Sequence, residues 1–449
     1  MRSLPASSLV PALPLAAVWA ACLCLAPGGA SADDWPQWMG PQRDGIWREQ
    51  GITQTLSDET PIKWEAEVGG GYAGAAIADG RVVLMDYLTD GGRLANNPGE
   101  RTKLQGTERV LCFDAESGKP LWTHEYAQPY AISYAVGPRA TPAIADGSVY
   151  ALGAEGKLIA LDAATGERQW VRDLTQDYGV ASPIWGFAAH PLVDGERVIT
   201  MIGGDGTGVV AFDRKSGKEL WRALSSRDAG YCPPQIIEFG GKRQLIVWTP
   251  QELASLDPET GAVYWAKTLE PDYGMSIAMP RRAGNLLFAT GYAKSGLFEL
   301  DPEKPSAKEL WNTPGPKSLY CSNSTPMIDE GLAYGCDIQS GRLKAMRLSD
   351  GSEVWATNAP VGGDRRRRHA TAFLTQIVGQ DRFILWNDQG DLILCTLDPK
   401  GYTELSRMHV LEPTQEAFGK DVLWTPPAYA GRTAFVRNDR KLVAVDLSE

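Results

Sequence analysis

The chain has 449 residues, of which 43% are hydrophobic and 22% are charged. This length exceeds what one ordinary hydrophobic core supports, so the chain either contains several domains or closes into a ring or barrel. The 44 basic and 55 acidic residues give a net charge of −11, which argues against a general nucleic-acid-binding protein.

The N-terminus carries the pattern of a secretory signal peptide. Arg2 precedes an apolar run from residue 9 to 26, and the small residues Ala30-Ser31-Ala32 come just before Asp33. A basic start, a short hydrophobic run and a small-residue cleavage site are typical of an exported protein. We therefore predict that residues 1–32 are removed and that the protein is periplasmic or secreted. No later segment of the sequence is apolar for long enough to predict a transmembrane helix.

The cysteines exclude two common kinds of site. Two of them, Cys22 and Cys24, lie in the predicted signal peptide and leave a lipoprotein as the alternative. Five follow it, an odd number with no Cys-x-x-Cys spacing, which excludes a disulfide framework or a zinc site: Cys112, Cys232, Cys321, Cys336 and Cys395. A turn at residues 330–331 would bring Cys336 near Cys321, so these two either form a disulfide or are separately buried thiols.

An internal repeat organises the rest of the sequence. The pattern Asp-x-x-(Ser/Thr)-Gly-x-x-x-Trp ends at four tryptophans, and looser copies end at two more; these are Trp122, Trp170, Trp221, Trp265, Trp311 and Trp355. Successive copies are 44 to 51 residues apart. A period in the forties with short apolar segments and Gly-containing turns is typical of β-propeller blades. The Asp of each copy is a turn residue that bonds to its own backbone, not a catalytic carboxylate.

Counting the first hairpin of each unit predicts eight blades. The last unit stops at residue 447, where its fourth strand should begin, and the segment Ile62–Val68 offers the missing strand with Trp64 in the repeat position. We therefore predict an all-β, eight-bladed propeller over residues 62–449, in which the N-terminal strand closes the last blade. Residues 33–61 form an N-terminal extension.

The pattern Ala160-x-Asp162-x-x-Thr165-Gly166-Glu167-x-x-Trp170 resembles the tryptophan-docking repeat of the PQQ-like β-propellers, which include quinoprotein alcohol dehydrogenases and BamB. The segment Trp35-Pro36-Gln37-Trp38-Met39-Gly40-Pro41 resembles the start of exported PQQ-like repeat proteins abundant in planctomycetes. The resemblance implies that the docking tryptophans, Trp64 included, pack between neighbouring blades. It also implies that a small residue two positions before each Asp makes room for the indole, which makes Cys112 a packing residue.

The resemblance does not by itself imply a bound cofactor. In the family, enzymes that use PQQ cover the quinone with a ring of adjacent cysteines and hold Ca²⁺ beside it, whereas this sequence has no Cys-Cys pair and no Cys-x-x-Cys-His haem signature. Its four histidines are isolated, with no metal-ligand spacing. We predict no cofactor and no metal, and PQQ stays the alternative.

The candidate binding residues lie in the segments that lead into the first strands. These segments gather at one mouth of a propeller channel, and aromatic residues recur in them beside a four-arginine run, residues 365–368. Rings and arginines together favour stacking and anion recognition. The candidates are Tyr134, Arg139, Trp185, Tyr231, Tyr320, Asn323, Arg366 and Trp424. The alternatives are a solvated loop, for the arginines, and a rim that the N-terminal extension buries.

No catalytic constellation accompanies these residues in the sequence. We therefore predict an exported, non-catalytic binding or scaffold protein that engages a protein, carbohydrate or small-molecule partner at the channel mouth, with a membrane-associated complex as one setting. The alternative is an enzyme, either a PQQ-dependent oxidoreductase or a carbohydrate-active propeller.

Overall fold

The computed structural model describes residue 1 and residues 34–91, 98–313, 315, 318–363 and 367–449. The predicted signal peptide and Arg366 lie outside the described residues. Over the described residues the protein is an eight-bladed β-propeller, which confirms the predicted fold. Each blade is an antiparallel sheet of four strands, and a short parallel strand extends blade 7 to five.

Two strands precede the first blade: β1 (Ile46–Trp47) and β2 (Ile62–Glu67). Blade 1 and its side strands comprise β3 (Ala76–Ala78), β4 (Arg81–Thr89), β5 (Thr102–Leu104), β6 (Gly106–Asp114), β7 (Pro120–Ala127) and β8 (Tyr130–Ile132). Blade 2 comprises β9 (Ala143–Ala145), β10 (Ser148–Leu152), β11 (Lys157–Asp162) and β12 (Arg168–Asp173). Blade 3 comprises β13 (Leu192–Asp194), β14 (Arg197–Met201), β15 (Val209–Asp213) and β16 (Glu219–Ala223). Blade 4 comprises β17 (Gln235–Phe239), β18 (Lys242–Trp248), β19 (Glu252–Leu256) and β20 (Val263–Thr268).

Blade 5 comprises β21 (Arg281–Ala283), β22 (Leu286–Gly291), β23 (Lys294–Leu300) and β24 (Ala307–Asn312). Blade 6 comprises β25 (Met327–Asp329), β26 (Leu332–Asp337), β27 (Arg342–Arg347) and β28 (Glu353–Thr357). Blade 7 comprises β29 (Ala372–Ile377), β30 (Arg382–Asn387), β31 (Asp391–Asp398) and β32 (Gly401–His409). A hairpin of β33 (Gln415–Ala417) and β34 (Lys420–Val422) precedes the strands of blade 8, which are β35 (Ala428–Ala430), β36 (Thr433–Arg437) and β37 (Lys441–Asp446).

Among the described residues, helical structure is confined to short connections. The described residues contain two short α-helices, α1 (Leu174–Tyr178) and α2 (Ala359–Gly362), and one 3-10 turn at Asp272–Gly274. Among the described residues, no helix has the length and apolar character needed to cross a lipid bilayer.

The docking tryptophans join one blade to the next. Trp311 lies opposite Leu297, but every other indole lies on the fourth strand opposite a small residue of the third, as Trp170 lies opposite Ala160. Its Nε1 donates a hydrogen bond to a backbone carbonyl of the following blade, which for Trp170 is Arg214 O at 2.8 Å. Cys112 occupies the small position opposite Trp122, where the resemblance placed it.

The burial of these indoles varies round the ring. Four are only 8% exposed, and these are Trp64, Trp170, Trp221 and Trp265. The other three are half-buried, and these are Trp122, Trp311 and Trp355. Trp265 departs from the pattern, because its Nε1 donates to Gln244 of its own blade. The turn that follows in blade 5 has two inserted residues and no glycine, so it differs from the turn on which the other indoles rest.

The ring closes between the two ends of the chain. Strand β2 pairs antiparallel with β37, and Trp64 lies opposite Ala444. Arg437 of blade 8 is 1% exposed and donates from Nη1 to Met85 O at 2.8 Å and from Nη2 to Gly69 O at 2.6 Å, both on the blade 1 side. The predicted closure is therefore present, and a buried guanidinium reinforces it.

The N-terminal extension runs inside the ring. Trp35 pairs with Ile77 of β3, β1 pairs with β29, and the ring of Trp47 stacks on Tyr429 of β35 at 4.9 Å. Arg281 of blade 5 donates to the carbonyl of Asp44 at 2.6 Å. Because these partners belong to innermost strands, residues 35–47 lie in the central channel. The extension then runs outward, where Leu56 N donates to Ser406 Oγ of β32, the outermost strand of blade 7.

The five described cysteines are free and buried. Cys321 and Cys336 form no disulfide, so the alternative of two separate thiols is the one observed. Cys336 Sγ accepts a hydrogen bond from Ala372 N at 3.2 Å.

Candidate ligand-binding site at the channel mouth

A cavity of about 660 Å³ opens at the channel mouth; we call it the mouth cavity. The segments that lead into the first strands form its wall, as the sequence predicted. Six predicted candidates line it: Tyr134, Arg139, Trp185, Tyr231, Asn323 and Trp424. The structure thus brings together side chains from five separate segments, while their binding role stays a prediction.

One candidate is not brought to the mouth cavity, and another is outside the described residues. Tyr320 is 3% exposed and is not part of the lining, because its hydroxyl donates to Gly315 O at 2.7 Å and its backbone N–H to Asp337. Arg366 lies outside the described residues, and the neighbouring Arg368 and His369 line the cavity.

Sequence reasoning missed several lining residues. Tyr72 belongs to the glycine-rich segment that leads into blade 1, and His190 precedes the first strand of blade 3. Both positions correspond to segments identified in other blades, so the repeat contained the signal for them. Trp38 comes from the N-terminal extension and Phe418 from the β33–β34 hairpin, and no repeat logic places either one.

Aromatic rings recur round the cavity wall. Tyr134 and Trp424 meet edge to face with centroids 5.8 Å apart, and the rings of Trp185 and Tyr231 are 5.3 Å apart. The indole of Trp38 stacks on the imidazole of His190 at 4.6 Å. Such rings offer flat apolar surfaces on which a planar group of a ligand can stack.

Arg139 supplies the buried positive charge of the site. It is 9% exposed, and its guanidinium carbon lies 5.3 Å from the centre of the Tyr72 ring. Nη2 donates to Ser133 O at 3.1 Å and to Tyr134 O at 2.6 Å, but Nη1 has no hydrogen-bond partner among the described residues. Burial lowers the pKa of Arg139 because desolvation disfavours the charged form.

Other buried polar atoms of the lining also lack partners among the described residues. These atoms are Tyr72 Oη, Tyr134 Oη, Ser322 Oγ, Ser324 Oγ and Trp424 Nε1. Burial raises the pKa of Tyr134 to about 12 and raises that of Tyr72 further, so both phenols keep their proton. Buried polar groups are normally hydrogen-bonded, so these atoms are exceptions next to the cavity wall.

His190 adds a donor whose tautomer is fixed by its neighbour. The backbone N–H of Thr141 donates to His190 Nδ1 at 2.7 Å. Burial lowers the pKa of His190 well below its usual value, and nearby Arg43 lowers it further. The ring is therefore neutral, and because Nδ1 accepts, Nε2 carries the hydrogen.

The backbone of the lining is strained at four aromatic positions. Tyr134, Tyr273, His369 and Phe418 have φ values of 51°, 59°, 61° and 54°. Residues with a Cβ disfavour this left-handed region by about 1–2 kcal/mol each. Strain of this kind persists where the surrounding structure requires a particular side-chain position, and it is common at binding sites.

The described lining does not provide the ligands for a Ca²⁺ ion of the kind that PQQ enzymes hold beside the quinone. Among the described residues, no Asp or Glu side chain lines the mouth cavity, and no group of three or more His, Cys, Asp and Glu is arranged to hold a metal ion. A Ca²⁺ site needs six to eight oxygen ligands, usually with carboxylates among them. The described lining therefore lacks the carboxylates that such a site uses.

The comparisons with known proteins agree with the fold. BamB from Moraxella catarrhalis is similar to the chain with a TM-score of 0.57 and 16% identity, over 86% of this chain and 99% of that one. Quinohemoprotein alcohol dehydrogenase from Comamonas testosteroni matches with a TM-score of 0.62 and 13% identity, over 94% of this chain and 82% of that one. A europium-containing methanol dehydrogenase matches with a TM-score of 0.61 and 13% identity, over 92% of this chain and 90% of that one.

Sequence comparison defines the relationship more closely. No curated protein sequence matches the chain. The family model described as outer membrane protein assembly factor BamB matches residues 106–357, just over half of the chain. The docking repeats of blades 1 to 6 lie within or at the edge of this match, and the chain belongs to the BamB family of PQQ-like β-propellers.

Proposed function

We propose that this chain is an exported, non-catalytic binding protein whose mouth cavity takes a small organic ligand. The observation that carries the proposal is a cavity of about 660 Å³ at the channel mouth, lined by aromatic side chains together with Arg139. Cavities of several hundred Å³ with apolar walls and a few converging polar groups are typical small-molecule sites. Export rests on the signal-peptide pattern of residues 1–32.

The cavity favours a small molecule over a folded partner. Trp38, which the N-terminal extension places in the lining, and Arg139 are 8% and 9% exposed, so a flat protein surface would not reach them. A partner protein at the rim would contact exposed residues instead, such as Tyr273, which is 78% exposed.

The enzyme alternatives have less support. The described lining lacks the carboxylates that a glycosidase pair or a Ca²⁺ site requires. His190 donates from Nε2 and uses Nδ1 as an acceptor from the backbone, so it is not placed as a general base.

The test is a binding screen of the full chain after export from cells. Thermal unfolding would be followed with panels of organic acids, neutral oligosaccharides, and PQQ with and without Ca²⁺, and native mass spectrometry would detect a co-purified ligand. We expect a compound from one panel to bind saturably. We expect no reduction of an electron-accepting dye when that compound is added.

A matched pair of variants locates the site. Ala188→Trp adds an indole to the lining and should abolish binding, whereas Leu121→Trp adds the same indole on an exposed position of β7 and should leave binding unchanged. Binding that survives Ala188→Trp would contradict the proposal. So would saturable PQQ binding that depends on Ca²⁺ and supports dye reduction by alcohols.

A further inference from the structure

An insertion in blade 1 forms one edge of the mouth cavity. The insertion connects β4 with β6, and its residues Pro98 and Gly99 line the cavity. We call residues 98–104 the strap. Although the strap belongs to blade 1, its contacts are with the segments that lead into blades 2 and 3, so it runs along the rim of the cavity.

The C-terminal end of the strap is anchored in the protein interior. Strand β5 pairs antiparallel with β8, and Leu104 lies opposite Tyr130. Leu104 is 5% exposed and belongs to an apolar cluster that also contains Tyr130 and Ile132. Displacing this end would expose buried apolar surface, which is unfavourable.

The N-terminal end of the strap is held by polar contacts at the surface. Arg101 donates from Nη1 to Ala131 O at 2.8 Å and from Nη2 to Ser182 O at 2.8 Å. Trp185 Nε1 donates to Pro98 O at 3.0 Å. Arg101 is exposed, and surface hydrogen bonds exchange with water at a small net cost. Segments held in this way open locally, so residues 98–101 can leave the rim while β5 stays paired.

A second insertion at the rim is packed more firmly. The β33–β34 hairpin places Phe418 in the lining, where its ring stacks on the imidazole of His369 at 3.9 Å. Ala417 and Val422 of the hairpin are 1% and 0% exposed and belong to an apolar cluster. Opening the hairpin would expose this apolar surface, so the strap is the more easily displaced of the two edges.

We propose that residues 98–101 form a movable edge that limits the size of the molecules that enter the mouth cavity. Arg101 is the positioning residue of this edge. Compact molecules enter while the strap is bound, and larger molecules enter after Arg101 and Trp185 release their carbonyl acceptors. The inference rests on the function proposed above, because it adds a size limit to the ligand of the mouth cavity.

The test measures entry with a thiol placed in the cavity of the full chain after export from cells. Ala188→Cys adds the thiol to the lining, and the unsubstituted chain, whose five described cysteines are buried, gives the background. Two neutral reagents share the reactive group and differ in size: N-ethylmaleimide and N-(1-pyrenyl)maleimide. Dividing each labelling rate by the rate with glutathione removes the difference in intrinsic reactivity.

In the Ala188→Cys background, Arg101→Met should act mainly on the larger reagent. Loss of two hydrogen bonds should raise the pyrenylmaleimide rate at least about fivefold and the ethylmaleimide rate less than about twofold. Arg172→Met is the matched control, because Arg172 of β12 pairs with Asp177 at 2.7 Å and is not part of the lining. It should change neither rate. Thermal unfolding would check that both variants are folded.

The outcomes separate this inference from the function on which it rests. An unchanged pyrenylmaleimide rate in Arg101→Met, or an equal increase for both reagents, would overturn the inference and leave ligand binding in the cavity unaffected. If neither reagent labels Ala188→Cys, the cavity is closed to small molecules and the proposed function fails as well. If the size effect is found but no compound binds in the screen, the role of the strap holds and the proposed function fails.

Discussion

Trp170 of blade 2 lies against Gly217 of blade 3 so closely that a Cβ on the glycine would stand 2.7 Å from indole Cδ2. The same contact recurs between Trp64 and Gly118 at 2.5 Å, and between Trp122 and Gly166 at 2.6 Å. The glycine of each repeat therefore serves two purposes. It adopts a positive φ in the turn, and it leaves space for the indole of the preceding blade.

Gly217→Ala should be more destabilising than an alanine in an open turn. Its φ of 67° costs an alanine about 1–2 kcal/mol, and the clash with Trp170 should add about 1–3 kcal/mol. Gly147→Ala is the control, because φ is 74° and nothing lies within 4 Å of the added Cβ. The two variants would be compared by urea unfolding. An equal loss of stability would show that indole contact does not constrain the repeat.

Trp170→Ala should destabilise the protein by about 3–5 kcal/mol, as large-to-small changes in a packed core do. The indole is 8% exposed and donates to Arg214 O of the next blade. Leu220→Ala on the fourth strand of blade 3 is the control, because Leu220 is 49% exposed and should change stability by less than about 0.5 kcal/mol. Similar losses for the two variants would contradict the docking role.

Arg437→Met should weaken the closure of the ring. The substitution leaves Met85 O and Gly69 O without their buried donor, which should cost at least about 2 kcal/mol. Arg282→Met removes an exposed arginine from blade 5 and should have little effect. Hydrogen exchange provides the spatial readout, since protection should fall first in β37 and β4. A uniform loss across all blades would argue against a local closure role.

Asp388 should make stability fall as the pH rises. Burial raises its pKa from 3.8 to about 6, although Lys420 and Arg367 counteract the shift. Between those two values the folded state binds more protons than the unfolded state, so the free energy of unfolding falls by about 1.4 kcal/mol per pH unit. Relative to Asp388→Asn, the wild type should lose stability from pH 4 to pH 6 and then level off. A difference that stays constant from pH 4 to pH 7 would show that Asp388 is not desolvated.

The sequence predicted the fold because residues within each repeat specify the structure of that blade. A turn with Asp and Gly, a small residue and a tryptophan recur at a fixed spacing, and each supplies its own contact in each blade. The closing strand could be identified because the last repeat stops at residue 447 without a docking tryptophan. Trp64, in the segment Ile62–Val68, occupies the equivalent position. The Trp265–Gln244 contact was not predicted, because it depends on a side chain 21 residues away in the same blade.

The site was predictable only where it follows the repeat. Tyr134, Arg139, Trp185 and Tyr231 sit in corresponding segments, so topology alone placed them at one mouth. Trp38 could not be placed in this way, since its position depends on the path of the extension through the channel. Tyr320 was predicted to line the cavity and does not. It occupies a corresponding segment, but its hydroxyl donates to Gly315 O, and the residue is not part of the lining.

The central claim is that the mouth cavity binds a small organic ligand. A crystal structure of the full chain with a brominated analogue of the ligand found in the binding screen tests this most directly, because anomalous scattering locates the bromine without assumptions about the rest. We predict one bromine peak inside the mouth cavity. A bromine peak elsewhere, or an empty cavity in crystals grown at a ligand concentration that saturates binding in solution, would contradict this claim.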